Sequence, residues 1–264
     1  MSKNPIDKLS GFCVITGASS GIGLELAILA ARDDCDLLLV ADRGLDDVAS
    51  ALRDTSSGTG NINILECDLA TQSGIDEVIE MIAGRQVDVL MANAGQGEGG
   101  AFLDQDWMAI KRTIDTNITG TISLIHKIGG NMRDVDTGRI LVTGSIVDNI
   151  PGPFNLVYNS TKAFVDDFCT GLSNELKHSN VVISCLLPGL TDTQFFERAD
   201  MEDTYVGQSN AKADPAKVAK DGYDALLKGE TQEVSGFLNK VQDVFAGLLP
   251  DELVAQMHRR LAKP

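Results

Sequence analysis

The stretch VITGASSGIGLELA, residues 14–27, decides the fold that this sequence predicts. An apolar run leads into Gly17, Gly21 and Gly23, and a helical pattern of apolar residues follows over residues 22–33. Glycines allow a tight turn and let a phosphate group approach the backbone, while the N–H groups at a helix start attract an anion. The succession of strand, glycine loop and helix therefore predicts a unit that binds the pyrophosphate of a dinucleotide.

The rest of the chain alternates short apolar runs with longer amphipathic stretches, including a helical pattern over residues 106–132. Continuous apolar strands separated by helices indicate right-handed crossovers and a sheet that is covered on both faces. We therefore expect an α/β fold with a doubly wound parallel sheet in three α/β/α layers, built as a single domain over residues 1–264. The predicted strands, of which the last is the weakest, are residues 12–16, 36–41, 61–67, 87–93, 138–144, 181–189 and 232–236.

The composition argues against several classes of protein. With a net charge of −16, the chain repels polyphosphate backbones and anionic lipid, so we expect neither a nucleic acid nor a membrane as partner. The five cysteines form no C-x-x-C pair and His126, His178 and His258 are dispersed. We therefore expect no metal site and assign the histidines to the surface or to packing. No apolar run reaches the ~18 residues of a membrane span and no signal peptide is recognised, so a reduced, cytoplasmic protein is expected.

The motif YNSTK, residues 158–162, places Tyr158 and Lys162 one helical turn apart and therefore on one helix face. A nearby ammonium group is expected to lower the pKa of a phenol from ~10, which would make Tyr158 a useful proton donor at neutral pH. Ser145 follows a predicted strand and can hydrogen-bond an oxygen atom on which negative charge develops. Each residue alone could be structural, but together with the glycine loop they indicate a proton-transfer site.

Three motifs occur in order: TG-x-x-x-G-x-G at residues 16–23, Asn-Ala-Gly at residues 93–95, and Ser145 followed by Tyr-x-x-x-Lys. With these motifs the sequence resembles the short-chain dehydrogenase/reductase family over roughly residues 10–195. The resemblance implies a Rossmann-like domain that binds NAD or NADP and interconverts alcohols and ketones. The four catalytic residues that it implies are Asn117, Ser145, Tyr158 and Lys162.

The resemblance also implies which residues contact the cofactor. Asp68 would contact the adenine, and the segment from Pro188 to Thr193 would hold the nicotinamide amide. Asn117 would hold a water that returns protons through Lys162. The implied cofactor-binding positions are Gly17, Ser19, Ser20, Gly21, Ile22, Gly23, Asp68, Leu69, Asn93, Ala94, Gly95, Tyr158, Lys162, Pro188, Gly189 and Thr193.

Two further cofactor-binding residues follow the second strand, where the sequence reads VADR. Asp42 is expected to bind the adenosine ribose hydroxyls and to repel the 2′-phosphate of NADP, whereas Arg43 could bind that phosphate. No arginine or lysine lies in the glycine loop, so NAD is predicted in preference to NADP. Two departures from the family pattern accompany this prediction. In much of the family, the acidic residue that selects NAD ends the second strand, at the position that Ala41 occupies here. At the second departure, Ala92 replaces an asparagine, and this change is expected to loosen the central sheet.

Two segments are predicted to shape a substrate pocket. Residues 190–213 follow a strand directly and mix apolar with acidic residues, so we expect a substrate lid or loop, with an ordinary surface connection as the alternative. The amphipathic residues 231–264 form a C-terminal extension for pocket or subunit contacts. The apolar residues of 146–158, with Phe195 and Phe196, predict a moderately hydrophobic substrate of small or medium size.

The leading functional prediction is an NAD(P)-dependent oxidoreductase that interconverts a secondary alcohol and a ketone, with Tyr158 as general acid or base. One alternative is a 3-ketoacyl-(acyl-carrier-protein) reductase, whose acidic partner would need a basic patch, for which KIGGNMR at residues 127–133 is the best candidate. Another alternative is a non-catalytic dinucleotide-binding sensor. The family resemblance further implies a homodimer or homotetramer that packs through helices such as residues 155–178.

Overall fold

The computed structural model of the protein describes residues 3–55, 60–148, 150–205, 207–209, 212–236 and 250–263. Seven described strands form one sheet in the order β3-β2-β1-β4-β5-β6-β7, and every adjacent pair is parallel. All seven lie within the predicted segments, which confirms the doubly wound α/β fold. The strands are β1 (Phe12–Thr16), β2 (Asp36–Ala41), β3 (Ile62–Glu66), β4 (Val89–Ala92), β5 (Gly138–Thr143), β6 (Val181–Leu187) and β7 (Gln232–Val234).

Three of the helices between these strands begin where a polar side chain caps them. Thr71 and Asp106 accept hydrogen bonds from backbone N–H groups of the first turn, and Asp214 does the same ahead of Pro215. The helices are α1 (Gly21–Arg32), α2 (Leu45–Thr55), α3 (Gln72–Ile82), α4 (Trp107–Ile114), α5 (Thr121–Asp134), α6 (Leu156–Glu175), α7 (Phe195–Arg198), α8 (Pro215–Lys228) and α9 (Asp251–Ala262).

The side-chain alternation of the strands divides the core into two layers. In β1, Cys13 and Ile15 pack in a cluster with α1, α2 and α8, whereas Phe12 and Val14 pack in a second cluster with α3, α5 and α6. Because successive side chains of a strand point to opposite faces, the two clusters lie on opposite sides of the sheet. Helices therefore cover both faces of the sheet, which gives the Rossmann-like arrangement of three layers.

β1 and β4 are neighbours in the sheet, with β2 and β3 on one side of them and β5, β6 and β7 on the other. The order in which strands are added to the sheet therefore changes direction between β1 and β4. The loops that follow these two strands are tied together, since Thr16 Oγ1 accepts hydrogen bonds from the backbone N–H groups of Asn93 (3.1 Å) and Ala94 (3.0 Å). In open parallel sheets, ligands bind in the crevice at the carboxyl ends of the strands at such a point.

Two local expectations differ from the structure. The helical pattern over 106–132 is not one α-helix, because a π-helical segment, Asp115–Gly120, separates α4 from α5. The expected loosening at Ala92 is not seen, since β4 pairs with both β1 and β5. The neighbouring Asn93 helps to hold this region, because its Oδ1 accepts a hydrogen bond from Thr143 Oγ1 at 2.9 Å.

The segments predicted as lid and C-terminal extension pack against each other. Phe196 and Met201 of residues 190–213 form a small apolar cluster with Ala262 of α9. Residues 206, 210, 211 and 237–249 of these two segments lie outside the described part of the chain.

Several sequence expectations concern the described residues as a whole. Within the described ranges, no helix is both long and apolar enough to cross a membrane, and no group of three or more potential metal ligands occurs. All five cysteines are free and buried.

Candidate active site

The carboxyl ends of the strands open into a cavity of 1220 Å³. Its wall is built from the glycine loop, the loops after β2 to β6, residues 190–213 and α9. Every predicted site residue except Gly23 and Asn117 lines this cavity. The fold therefore brings together residues that are far apart in the sequence.

The glycine loop is shaped for close backbone packing. Gly17 adopts the left-handed region with a φ of +66°. A Cβ atom on Gly23 would lie only 2.2 Å from the carbonyl oxygen of Gly17, so Gly23 allows α1 to pack against the loop. Ser20 precedes α1 without a capping side-chain hydrogen bond, so first-turn N–H groups of α1 remain available beside the cavity. This cradle fits the pyrophosphate of a dinucleotide.

The cavity wall after β2 carries a charged pair. Nη2 of Arg43 lies 2.8 Å from Oδ2 of Asp42. Partial burial acts to raise the pKa of Asp42, but the hydrogen bond and charge of Arg43, together with the charge of Arg198, hold that pKa below its usual value. Asp42 is therefore ionised at neutral pH and faces the cavity beside two guanidinium groups.

Asp68 and Leu69 lie on the cavity wall after β3. Oδ1 of Asp68 accepts a hydrogen bond from the backbone N–H of Ala70 at 3.0 Å, and Oδ2 lies 2.6 Å from Nη1 of Arg112. Arg112, which sequence analysis did not single out, also lines the cavity. The Asp68 carboxylate is therefore held in one orientation by α4.

Tyr158 and Lys162 project from the first turns of α6 into the cavity, opposite Ser145, which follows β5. Lys162 is buried and donates a hydrogen bond to the carbonyl oxygen of Thr143 at 2.8 Å. Its Nζ lies 5.7 Å from the centre of the Tyr158 ring. A hydroxyl, a phenol and an amine thus converge at one point of the wall, where they could act on a substrate oxygen.

The pKa values differ from the sequence expectation. Burial raises the pKa of Tyr158 to about 12, although a hydrogen bond from the Ser145 side chain opposes the rise. Burial also lowers the pKa of Lys162 to about 8. The predicted lowering of the Tyr158 pKa by Lys162 is therefore wrong, because desolvation of the phenol is the largest influence on that pKa.

Asn117 is buried behind the cavity wall, within the π-helical segment. Its Oδ1 accepts a hydrogen bond from the backbone N–H of Gln96 at 2.9 Å, and its Nδ2 donates to Gln96 O at 2.8 Å and Thr161 Oγ1 at 2.9 Å. Both amide hydrogens are thus engaged by protein, and the predicted water-holding role of Asn117 stays a prediction.

Thr161 is a site residue that sequence analysis missed. Its hydroxyl accepts from Asn117 and donates to the backbone carbonyl of Tyr158 at 2.7 Å. The only signal for it in the sequence is a hydroxyl residue directly before Lys162, and that signal does not reveal the distant partner.

One residue of the predicted lid segment, Phe195, contacts a proton-transfer residue. The ring of Phe195 packs on that of Tyr158, with 4.9 Å between the ring centres. Gly97 leaves room for this contact, since a Cβ atom there would lie 2.7 Å from Phe195 Cζ. Phe195 therefore shields one side of Tyr158 from water.

One part of the cavity wall is mainly apolar. It is formed by Ile146, Val147, Ile150, Phe196, Met201, Val254, Met257 and Leu261, with His258 among them. The assignment of His258 to the surface or to packing is therefore incomplete, because α9 turns this half-buried side chain toward the cavity. Sequence analysis assigned α9 to an extension for pocket or subunit contacts but did not single out its residues, because only tertiary packing brings them to the cavity.

Comparison with known proteins identifies the family of this chain. The short chain dehydrogenase family model matches residues 12–203. Estradiol 17-beta-dehydrogenase 1 of Rattus norvegicus is 31% identical over 193 residues, which are 71% of this chain and 56% of that protein. The match thus spans little more than half the length of this relative. The chain belongs to the short-chain dehydrogenase/reductase family, as the motifs predicted.

Solved structures show the same fold over most of the chain. A short-chain dehydrogenase from Sphingobium yanoikuyae in complex with NADPH is 28% identical, with a TM-score of 0.80 over 90% of this chain and 94% of that one. The bulky-bulky ketone specific alcohol dehydrogenase from Comamonas testosteroni is 26% identical, with a TM-score of 0.76 over 90% and 92% of the two chains.

Proposed function

We propose that this protein is an NAD(P)-dependent oxidoreductase that interconverts a secondary alcohol and a ketone. The observation that carries the proposal is the convergence of Ser145, Tyr158 and Lys162 on the wall that also holds the glycine loop. Membership of the short-chain dehydrogenase/reductase family supports the same activity.

The nicotinamide cofactor, when bound, supplies or accepts the hydride. In reduction, Tyr158 donates its phenolic proton to the ketone oxygen, and in oxidation it accepts the hydroxyl proton of the alcohol. Ser145 donates a hydrogen bond to the same oxygen and favours the negative charge that develops there. Lys162 remains largely protonated at pH 7 and stabilises the phenolate that forms in reduction.

The residues of the cavity wall support one orientation of the dinucleotide. We expect the cradle of the glycine loop to receive the pyrophosphate, Asp42 and Asp68 to contact the adenosine, and Thr193 to contact the nicotinamide, because all of them line the cavity. We retain NAD as the preferred cofactor because the ionised Asp42 would repel a 2′-phosphate. Arg43 does not cancel this preference, since its side chain is 74% exposed and already bound to Asp42.

The lining of the cavity favours a bulky hydrophobic substrate. Its 1220 Å³ must hold the dinucleotide as well as the substrate, and the wall around α9 is mainly apolar. A relative that is specific for bulky-bulky ketones supports this choice. The proposed substrate is therefore larger than the small or medium alcohol predicted from the sequence.

The carrier-protein alternative receives little support from the surface charges. Lys127 of the candidate basic patch lies 3.6 Å from Asp76, and Arg133 lies 2.8 Å from Asp134. These carboxylates reduce the positive potential that an acidic carrier protein would need. The sensor alternative is tested by the turnover experiment below.

We also propose that two copies of the chain associate through α6 and the start of α4. Trp107, Met108, Leu156 and Phe164 are large apolar side chains that are between 39% and 65% exposed on these two helices, and α4 and α6 contact each other. An exposed apolar surface of this kind is typical of an association interface.

The proposed function is tested with Tyr158→Phe, which removes the phenolic hydroxyl and keeps the ring. We expect turnover of bulky ketones with NADH or NADPH to fall by about 10²- to 10⁴-fold, because general acid catalysis is lost. Cofactor affinity, measured by fluorescence titration, should fall far less than turnover does. Wild-type protein that binds the cofactor but turns over no member of a ketone and alcohol panel would support the sensor alternative instead.

A further inference from the structure

One face of α9 forms part of the apolar wall of the cavity. The described α9 residues that line the cavity follow helical spacing and are Val254, Met257, His258, Leu261 and Ala262. Four of these five are apolar. An apolar wall provides binding energy but little orientation, so the single polar ring in it is a candidate for recognition of a specific group.

The hydrogen bonding of His258 defines which ring nitrogen can accept. Nδ1 lies 3.2 Å from the backbone carbonyl oxygen of Pro153, and since a carbonyl oxygen can only accept, Nδ1 carries the proton. Burial lowers the pKa of His258, although the bond to Pro153 opposes the change. The ring is therefore neutral at pH 7, and Nε2 carries a lone pair.

This acceptor has no protein donor in the part of the chain that the structure describes, where the bond to Pro153 is the one hydrogen bond of the His258 side chain. A second cavity residue also has an acceptor atom without a donor among the described residues. Asn155, two residues after Pro153, is 5% exposed and lines the cavity, and its Oδ1 has no hydrogen-bond partner among the described residues. Buried acceptors are usually satisfied, so this end of the cavity suits a ligand that brings a donor.

We propose that His258 is a specificity-determining residue whose Nε2 accepts a hydrogen bond from a second hydroxyl group of the substrate. That hydroxyl lies at the end of a bulky hydrophobic molecule, away from the carbon that reacts at Tyr158. The inference rests on the proposed function for the same cavity. It narrows the substrate class from hydrophobic ketones to hydroxyketones, or to the corresponding diols.

The expected selectivity follows from the cost of covering Nε2 with a substrate that offers it no donor. A substrate without the distal hydroxyl leaves Nε2 unpaired in an apolar wall, whereas a hydroxylated substrate satisfies it. The difference corresponds to about three- to tenfold in kcat/KM, which is the usual net effect of one hydrogen bond.

The test uses matched pairs of ketones. One pair is cyclohexylcyclohexanone with and without a hydroxyl at the far end of the second ring, and the other is a three-ring pair built in the same way. We measure kcat/KM for each ketone with wild-type protein, His258→Phe and His258→Gln, and dissociation constants by calorimetry. We expect wild-type protein to prefer the hydroxylated member of at least one pair and His258→Phe to lose that preference. His258→Gln should regain part of it, since its amide oxygen can accept.

A matched control is Gln256→Ala, on the exposed side of the same helix, which should keep the wild-type preference. The inference is overturned if wild-type protein prefers neither hydroxylated ketone, or if His258→Phe weakens both members of a pair equally, as a packing role would. If no ketone is turned over by any variant, the proposed function fails. The calorimetric preference then still decides the inference about His258.

Discussion

At the scale of single residues, burial controls the chemistry of the site more strongly than proximity does. Lys162 and Tyr158 lie within one helical turn, yet burial shifts the pKa of each toward its neutral form. A bound substrate oxygen that takes up negative charge would favour the protonated amine in return. The site is therefore prepared for a charge that arises only during the reaction.

The burial of Lys162 makes a testable contribution to stability. Its pKa is about 8 in the folded protein and near 10.5 in the unfolded chain. Between these pH values the unfolded chain binds a proton that the folded protein lacks, so the Lys162 contribution to the free energy of unfolding grows as pH rises. Over this pH range, we expect the free energy of unfolding of the wild type to rise by up to about 3 kcal/mol relative to that of Lys162→Met, measured by urea unfolding.

The exposed Lys228 provides the control, because Lys228→Met should follow the wild-type pH dependence. If the difference in free energy of unfolding between the wild type and Lys162→Met stayed constant from pH 8 to 10.5, this would contradict the assignment of a desolvated amine to Lys162.

Asp42 carries the prediction of cofactor preference. Titration by fluorescence should show tighter binding of NADH than of NADPH, because the ionised carboxylate repels the 2′-phosphate. Asp42→Ala should reduce that preference by roughly an order of magnitude. A wild-type preference for NADPH would instead assign selection to Arg43 and overturn the NAD prediction.

At the scale of elements, the site depends on hydrogen bonds that link the π-helical segment to α6, here called the clamp between Asn117 and Thr161. The π-helical segment carries Asn117 toward α6, where Thr161 accepts its amide hydrogen and in turn binds the carbonyl of Tyr158. Such π-helical turns frequently occur at functional sites, because they shift a side chain out of regular helical register. The interruption of a predicted long helix is therefore part of how the site is built.

Thr161→Val tests this clamp with little change in volume. We expect kcat to fall by about three- to tenfold, because Tyr158 loses a hydrogen bond that positions its backbone. The affinity for the cofactor should stay near the wild-type value. Thr161→Ser should restore the rate, since it keeps the hydroxyl. If Thr161→Ser were as slow as Thr161→Val, the hydroxyl would not be the positioning group.

At the scale of the whole molecule, the charge of the cavity is opposite to that of the chain. The protein has a net charge of −16, whereas its described cavity wall holds five cationic side chains and two carboxylates. The cations are Arg43, Arg112, Lys162, Arg198 and Lys217, and the carboxylates are Asp42 and Asp68. A local positive field in an acidic protein attracts an anionic dinucleotide to the cavity.

Assembly is the second property of the whole molecule. If α6 forms the proposed interface, Phe164→Asp should convert a dimer or tetramer to a smaller species, because a carboxylate would be buried without a partner. Light scattering after size-exclusion chromatography measures this. Met81→Asp, at a somewhat more exposed apolar position on α3, should leave the assembly unchanged. A wild-type monomer would contradict the proposed interface.

Much of this protein was predictable from its sequence, because the deciding interactions are local. The alternation of apolar runs defines strands and helices, and the glycines before α1 define a turn within a few residues. The spacing of Tyr158 and Lys162 places both on one helix face for the same reason. These features, together with the order of the motifs, determined the fold and the family.

Only the tertiary structure decided how these parts work together. The raised pKa of Tyr158, the clamp between Asn117 and Thr161, and the place of His258 in the cavity wall all depend on segments that are distant in the chain. Desolvation and hydrogen bonding act through space, so no pattern within one segment contains them. The sequence by itself therefore determined which groups are present at the site, and packing decided their environment and partners.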